Sequence, residues 1–339
     1  MNAKETPMTF DPNAKDLVVG IAGAGQMGRG IVQVAAVGGC RVKMCDANPD
    51  AAAKALQFVG SMLLRAAEKG QMPASEAEAA LKRIEVVPGL AQFNDCQVVI
   101  EAVSESLPVK HRLFTELEQI VSPGTVLATN TSSLSVTSIA SVCKRPERVA
   151  GMHFFNPVPL MKLVEVIDGV RSDPKVVEFL IGLGRRFGRE PVRVSDTPGF
   201  IVNQVGRGYT VESAHIAQEG AASFSTIDKI LREGAGFRMG PFELLDLTAL
   251  DVSQPAAELL YRQFFEEPRY RPSPLMRIRF DGGLLGRKSG RGFYEYDKDG
   301  RQIVEAEPRL PAYDERWVWV SPEEPKASAR VKGAVKAAG

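Results

Sequence analysis

The chain has 339 residues, with 42 Lys and Arg set against 41 Asp and Glu, for a formal net charge of +1. That length exceeds what one hydrophobic core usually serves and implies two folded bodies, while the balanced charge excludes nucleic acid as an expected partner. No apolar run approaches the roughly 20 residues that span a bilayer, so no membrane partner is expected either. The opening MNAKETPMTFDPNAKD has neither the basic-then-apolar pattern of a secretory leader nor an Arg-rich transit pattern, which predicts a cytoplasmic protein. Cys40, Cys45, Cys96 and Cys143 show no CxxC spacing, as expected of reduced thiols, and no metal is expected.

In chain order, residues 17–22 (LVVGIA) read as a buried strand and 26–37 as a helix. A strand at 42–46 and a long Ala-rich helix to about residue 69 follow, then further apolar strands at 97–103, 125–130, 148–155 and 163–167. Strands alternating with helices predict a Rossmann-like, doubly wound parallel sheet in an α/β domain over 1–196. From Thr197 the pattern turns helical, with Pro198 suited to a helix start and Pro241 opening another helix. This predicts an all-α domain over 197–300, followed by a tail over 301–339 that is rich in Pro, Ala, Ser and Lys and has no apolar period.

Gly23-Ala24-Gly25-Gln26-Met27-Gly28 lies between the first strand and its helix. Such a loop needs glycine for the tight turn, for backbone approach to a pyrophosphate, and for helix–strand packing, while the helix N-terminus offers free N–H groups to the anion. Asp46 stands 18 residues after Gly28, close to the spacing at which an acid binds the adenine ribose. A carboxylate there repels a 2′-phosphate, so the expected cofactor is NAD; Arg41 and Lys43 complicate that preference slightly.

His153, one of only three histidines, ends an apolar strand in MHFFNP. A histidine in that setting is most often a packed core residue, but Glu165 interrupts the apolar run LVEVI and needs a partner of its own. Lys162 or solvent would serve; so would an imidazole that Glu165 orients as a general base. Residues 130–133 (NTSS) follow a strand end that lines the crevice of such a sheet, and supply hydroxyls able to grip a substrate oxygen. Asn203 falls on the first helix of the second domain, where it faces the crevice if that domain covers it. His111 and His215 lie in polar helical contexts and read as surface residues.

Seven ordered blocks, GAGQMGRGI, EAVSESLPVK, NTSSLSVTSIA, HFFNPVPLMKLVEVI, DTPGFIVNQ, MGPFELLDL and RKSGRGFYEY, give the chain a resemblance to the L-3-hydroxyacyl-CoA dehydrogenases over about residues 16–297. The short 3-hydroxybutyryl-CoA dehydrogenase type is the most similar. The resemblance implies oxidation of an L-3-hydroxyacyl-CoA to the 3-oxoacyl-CoA, with His153 as base, Glu165 as its partner, Ser132 on the substrate oxygen and Asn203 assisting. It further implies that Glu105, Lys110, Ser132, Asn156 and Lys288 lie near the cofactor, and that Ser61, Lys69 and Ser132 contact the acyl-CoA substrate. Ser61 and Lys69 also fit a solvated basic face that includes Arg65. The sequence departs from the family pattern at Arg238, usually proline, and at Ala249, usually glycine.

Two other readings compete. A gulonate-type hydroxyacid dehydrogenase shares the histidine and the NP motif, but here MKLVEV follows it, as in the CoA-dependent branch. A non-catalytic NAD sensor needs only the nucleotide loop and would not need the full set of His153, Glu165, Ser132 and Asn203. Finally, Phe242, Leu244, Leu245, Leu247, Leu250, Leu259, Leu260 and Tyr261 carry more apolar surface than one thin helical layer buries, which predicts a homodimer.

Overall fold

The computed structural model describes residues 11–303 and 319–337. Buried runs of branched and small apolar residues form β1 (Val18–Ala22), β2 (Arg41–Cys45), β3 (Ile84–Val86), β4 (Val98–Glu101), β5 (Val126–Thr129), β6 (Val149–Phe154), β7 (Leu163–Asp168) and β8 (Glu190–Ser195). These make one sheet in the order β3-β2-β1-β4-β5-β6-β7-β8. The first six strands run parallel, the order of a doubly wound dinucleotide-binding sheet whose switch point lies between β1 and β4.

Alternate residues of each strand enter different cores. On one face Val19, Ile21 and Ile100 pack with Ile31, Val32 and Val34 of α1 (Gln26–Val37), Val59 and Leu63 of α2 (Pro49–Glu68), and Val177 and Leu180 of α6 (Pro174–Arg186). On the other, Val18, Val99 and Leu127 pack with Phe114 and Leu117 of α4 (Leu107–Ile120) and Ile139 of α5 (Val136–Ala140). The short α3 (Ala74–Lys82) packs beside α1 and α2 and leads into β3.

The sheet is mostly parallel, as the sequence predicts, with one reversal that the sequence reading does not contain. β7 runs antiparallel to β6, and β8 runs with β7. Only residues 155–162 join β6 to β7, whereas a parallel crossover takes a dozen or more residues, so the chain must turn back. The reversal places the end of β6 and the start of β7 together at the carboxyl edge of the sheet, beside the glycine loop.

The second half consists of α7 (Val202–Gln218), α8 (Phe224–Lys229), α9 (Pro241–Thr248), α10 (Leu250–Gln263) and α11 (Pro274–Asp281), packed around Phe242, Leu245, Leu250, Met276 and Phe293. Buried Asp228 accepts from the backbone N–H groups of Phe242 and Glu243 and from the Tyr294 hydroxyl; buried Asp246 accepts from the N–H groups of Phe293 and Tyr294 and the Tyr296 hydroxyl. These two carboxylates tie the FYEY segment onto α8 and α9. Burial pushes both acids up, against the pull of the donors they accept from.

Two boundaries differ from the sequence reading. α7 starts at Val202 and not at Pro198, because Gly199 (φ +73°) and Phe200 (φ +51°) turn the chain sharply first. The tail contains a helix, α12 (Pro325–Ala337), formed by an Ala- and Lys-rich run with good intrinsic helix propensity though no apolar period. Residues 304–318 lie outside the described residues.

Candidate active site

The glycine loop is shaped by steric need. A Cβ at Gly23 (φ +109°) would sit 2.4 Å from the Ala102 carbonyl oxygen after β4, and one at Gly28 would sit 1.9 Å from the Gly23 oxygen. At Gly25, by contrast, a Cβ would meet nothing within 4 Å, so the backbone there fronts open space at the start of α1. Asp46, just past β2, accepts from Ala24 N at 2.7 Å and Asn48 N at 2.9 Å, and so stands at the mouth of the loop. An open backbone approach, a helix N-terminus and a carboxylate at the end of the neighbouring strand fit a dinucleotide with a free ribose diol.

Across the switch point, β6 and β7 place His153 directly opposite Glu165. Nδ1 of His153 lies 2.7 Å from Oε2 of Glu165, with His153 5 % exposed and Glu165 fully buried. The other oxygen, Oε1, accepts from the N–H groups of Ile201 (3.0 Å) and Val202 (2.9 Å). It thereby satisfies free donors at the start of α7, where no side chain of the local sequence caps the helix. Burial alone would raise the Glu165 carboxyl, but His153 and the two N–H groups outweigh it and hold the acid below the ordinary carboxylate range. The imidazole packs between Phe155 and Phe200, with ring centroids 4.5 and 5.8 Å away. Phe200 also packs with Val136, Ile167 and Val194, which pins the start of the helical half to the sheet.

The loop after β5 is held from both sides. Asn203 Nδ2 donates to the Ser132 carbonyl (3.2 Å), and Gln263 Nε2 of α10 donates to the Ser133 carbonyl (2.8 Å). Beneath the loop, Glu105 Oε1 accepts from the N–H groups of Ser132 (2.8 Å) and Ser133 (2.9 Å) and from the hydroxyls of Thr131, Ser132 and Ser133. Burial would raise Glu105, but Lys110 and these donors together lower it. Asn130 Oδ1 accepts from Phe154 N (2.8 Å) and links the loop to the strand that carries His153.

Of the residues singled out from sequence, His153, Glu165, Ser132, Asn203, Glu105 and Lys110 thus form one connected set. Asn156, beside the cis Asn156–Pro157 peptide, accepts from Gln26 Nε2 (3.0 Å) and so borders the glycine loop. Ser61 and Lys69 lie apart on the exposed face of α2 and just past its end, and the Ser61 hydroxyl donates to Phe58 O. Lys288 pairs with Asp251 of α10 within the helical half. His111 and His215 are half-buried, with ring nitrogens on the carbonyls of Ser138 and Arg271.

Sequence reasoning missed Glu101. It is fully buried at the end of β4, lies 2.6 Å from the buried Lys110 ammonium, and accepts from Thr129 Oγ1 (2.6 Å) and Val103 N (2.7 Å). The available signal was an acid closing an apolar strand, the same signal that pointed to Glu165.

The family model described as 3-hydroxyacyl-CoA dehydrogenase, NAD binding domain, matches residues 18–197, and its C-terminal domain counterpart matches 199–296. The chain belongs to the 3-hydroxyacyl-CoA dehydrogenase family. The family is one of NAD-dependent oxidoreductases that act on 3-hydroxyacyl-CoA thioesters. It is 42% identical over 286 residues to the 3-hydroxyadipyl-CoA dehydrogenase of Escherichia coli, a match that covers 84% of this chain and 60% of that protein. It is also 42% identical to a probable 3-hydroxybutyryl-CoA dehydrogenase of Bacillus subtilis, covering 82% of this chain and 96% of the relative. The crystal structure of (S)-3-hydroxybutyryl-CoA dehydrogenase from Ralstonia eutropha superimposes with a TM-score of 0.80 at 38% identity, covering 83% of this chain and 99% of that one. The chain therefore spans under two thirds of the length of the E. coli relative and nearly all of the other two.

Proposed function

We propose that the chain interconverts an L-3-hydroxyacyl-CoA and the 3-oxoacyl-CoA, with His153 taking up and returning the hydroxyl proton. The observation that carries this reading is the buried His153–Glu165 pair, 2.7 Å apart beside the loop of Ser132. Its Nδ1 occupied by Glu165, the imidazole keeps Nε2 for the substrate; the charge gained on proton uptake is met by a carboxylate already ionised in place. Ser132, anchored from below by Glu105 and from above by Asn203, supplies a hydroxyl to the substrate oxygen. NAD, when bound on the glycine loop, supplies the hydride acceptor. Asp46 meets the ribose diol, and Glu105, Lys110, Asn156 and Lys288 serve the nicotinamide side. Ser61 and Lys69 meet the CoA moiety on the outer face of α2.

The gulonate-type alternative and the sensor alternative are set against the same geometry, since a sensor has no use for a desolvated base. The decisive test follows the nicotinamide absorbance with acetoacetyl-CoA and NADH. Steady oxidation of NADH supports the dehydrogenase; turnover of gulonate alone, or binding without turnover, sinks it.

The same reading includes a homodimer, a 1–196 and 197–300 division of labour, and a cytoplasmic setting. Much of the apolar surface first credited to the interface is spent inside the helical core, because Phe242, Leu245, Leu250 and Leu260 are buried. Other residues of that half carry the argument: Val205 is 72% exposed, Ile230 59%, Val252 60% and Phe265 95%. Light scattering at micromolar concentration should give twice the 36.8 kDa of one chain; a single-chain mass ends the dimer. The four cysteines are buried and unpaired, and burial pushes their thiols up, Cys96 to about 12, which suits a reducing compartment. Among the described residues no helix is long and apolar enough to cross a membrane.

A further inference from the structure

We infer that Glu101, through the charge set it forms with Lys110 and Glu105, biases the bound cofactor toward its oxidised form. Glu101 does so without touching the cofactor. This inference rests on the reaction proposed above and concerns the electrostatics of that same site.

Three ionisable side chains meet beneath the Ser132 loop. Lys110 of α4 is 1% exposed, and its Nζ lies 2.6 Å from Glu101 Oε1 and 3.4 Å from Glu105 Oε2. Glu101 is fully buried, with its oxygens also met by Val103 N (2.7 Å) and Thr129 Oγ1 (2.6 Å). A single ion pair would be neutral. Here two carboxylates face one ammonium, and among the described residues no other cation pairs with either acid. A buried charge beyond the one its partner matches is costly, and a scaffold does not call for it. Glu105 keeps 34% of its side chain exposed, so the set reaches the surface beside Ser132.

The place of this excess charge follows from the fold and the chemistry. Glu101 stands in register with Ala22, the last residue of β1 before the glycine loop, and a Cβ at Gly23 would strike the Ala102 carbonyl. A dinucleotide laid across the carboxyl ends of the strands thus brings one half over the ends of β4 and β5. The substrate carbon carries the oxygen assigned to Ser132, and a hydride acceptor must come within about 3–3.5 Å of that carbon. Glu105 accepts from both the N–H (2.8 Å) and the hydroxyl (3.3 Å) of Ser132. The set therefore lies close to the ring that accepts the hydride.

That ring is cationic in NAD and neutral in NADH, because the hydride brings a negative charge with it. A nearby excess of negative charge favours the cationic form. Asp46 stands at the adenosine end, which is the same in both forms. Glu165 is negative too, but it is engaged by His153 and the first N–H groups of α7, and changing it alters the base. Glu101 carries its charge apart from both tasks.

The test is the ratio of dissociation constants, Kd(NAD)/Kd(NADH), measured by titration calorimetry on the full-length protein without substrate, at one pH and one salt concentration. Glu101→Gln keeps the size of the side chain and removes one negative charge, so the ratio should rise about three- to tenfold. Glu101→Asp keeps the charge and should hold the ratio near the parent's. Glu105→Gln makes the same change in charge at the exposed end of the set. The ratio should rise there too, and this variant carries the test if Glu101→Gln does not fold. Equal weakening of both forms in the glutamine variants, or a ratio that falls, overturns the proposal, since a scaffold does not sense the charge of the ring. A rise in Glu101→Asp as large as in Glu101→Gln overturns it as well, because geometry and not charge would then set the ratio. No turnover of acetoacetyl-CoA by a parent that binds both forms is a different failure, that of the dehydrogenase reading itself.

Discussion

His153 and Glu165 stand directly opposite each other on antiparallel strands, with the imidazole Nδ1 2.7 Å from a carboxylate that is fully buried. The role proposed for His153 is separable from cofactor binding, because the glycine loop belongs to other elements. His153→Asn should therefore lower turnover by about 10²–10⁴-fold. Titration of NADH fluorescence should show binding close to the parent. Near-normal turnover would remove His153 from the mechanism.

Glu165→Gln tests the partner, and two readouts distinguish orientation from scaffolding. The variant loses the negative charge that meets the protonated imidazole, so the acidic limb of the oxidation profile should move to lower pH as kcat falls. An unmoved limb with an intact fold would leave Glu165 a purely structural role. Stability should respond as well. The folded carboxyl titrates below its unfolded value, so its contribution is complete above the ordinary carboxylate range and is lost as pH falls through the folded value. Acid unfolding of Glu165→Gln should accordingly depend less steeply on pH than that of the parent, by urea titration at a series of pH values.

Asp46→Ala removes two things at once: the charge that repels a 2′-phosphate and the acceptor for Ala24 N. NAD and NADP should both bind less tightly, and the ratio of their kcat/KM values should narrow. A ratio equal to the parent's would place the discrimination on another residue.

Ala249 joins α9 to α10 at φ +67° and ψ 141°, a region that suits glycine, and it is buried. Glycine adopts such a conformation freely, whereas the alanine found here must be held in it by its surroundings. Ala249→Gly should relieve strain of order 1–3 kcal/mol, partly offset by the greater freedom of glycine in the unfolded chain. A net gain of about 1 kcal/mol corresponds to roughly 1–2 °C in Tm for a chain of this size. A lower Tm in thermal melts would show that alanine is well accommodated.

The strands and the glycine loop were legible because a fully buried strand writes itself as an unbroken apolar run and the loop as fixed glycine spacing. The direction of β7 was not, since LVEVI reads the same whichever way the strand runs; only the short link at 155–162 held that information. β3 escaped because three residues, Ile84, Glu85 and Val86, are too few to show a period. The contact between His153 and Glu165 was legible from an acid and a histidine placed against apolar sequence. Glu101 carried the same signal, but its partners Lys110 and Thr129 come from separate segments that only the folded sheet brings together. The start of α7 was misplaced because Pro198 is a good first residue for a helix, and nothing local says that Phe200 adopts a positive φ.

Because one carboxylate serves both His153 and the first N–H groups of α7, the readiness of the base and the seating of the helical half are a single event. Lifting α7 from the sheet withdraws the donors at Ile201 and Val202 that help keep Glu165 ionised. Slow amide exchange at those two positions, lost in Glu165→Gln, would report the coupling. For the proposed base, this makes a seated helical half a condition of proton transfer.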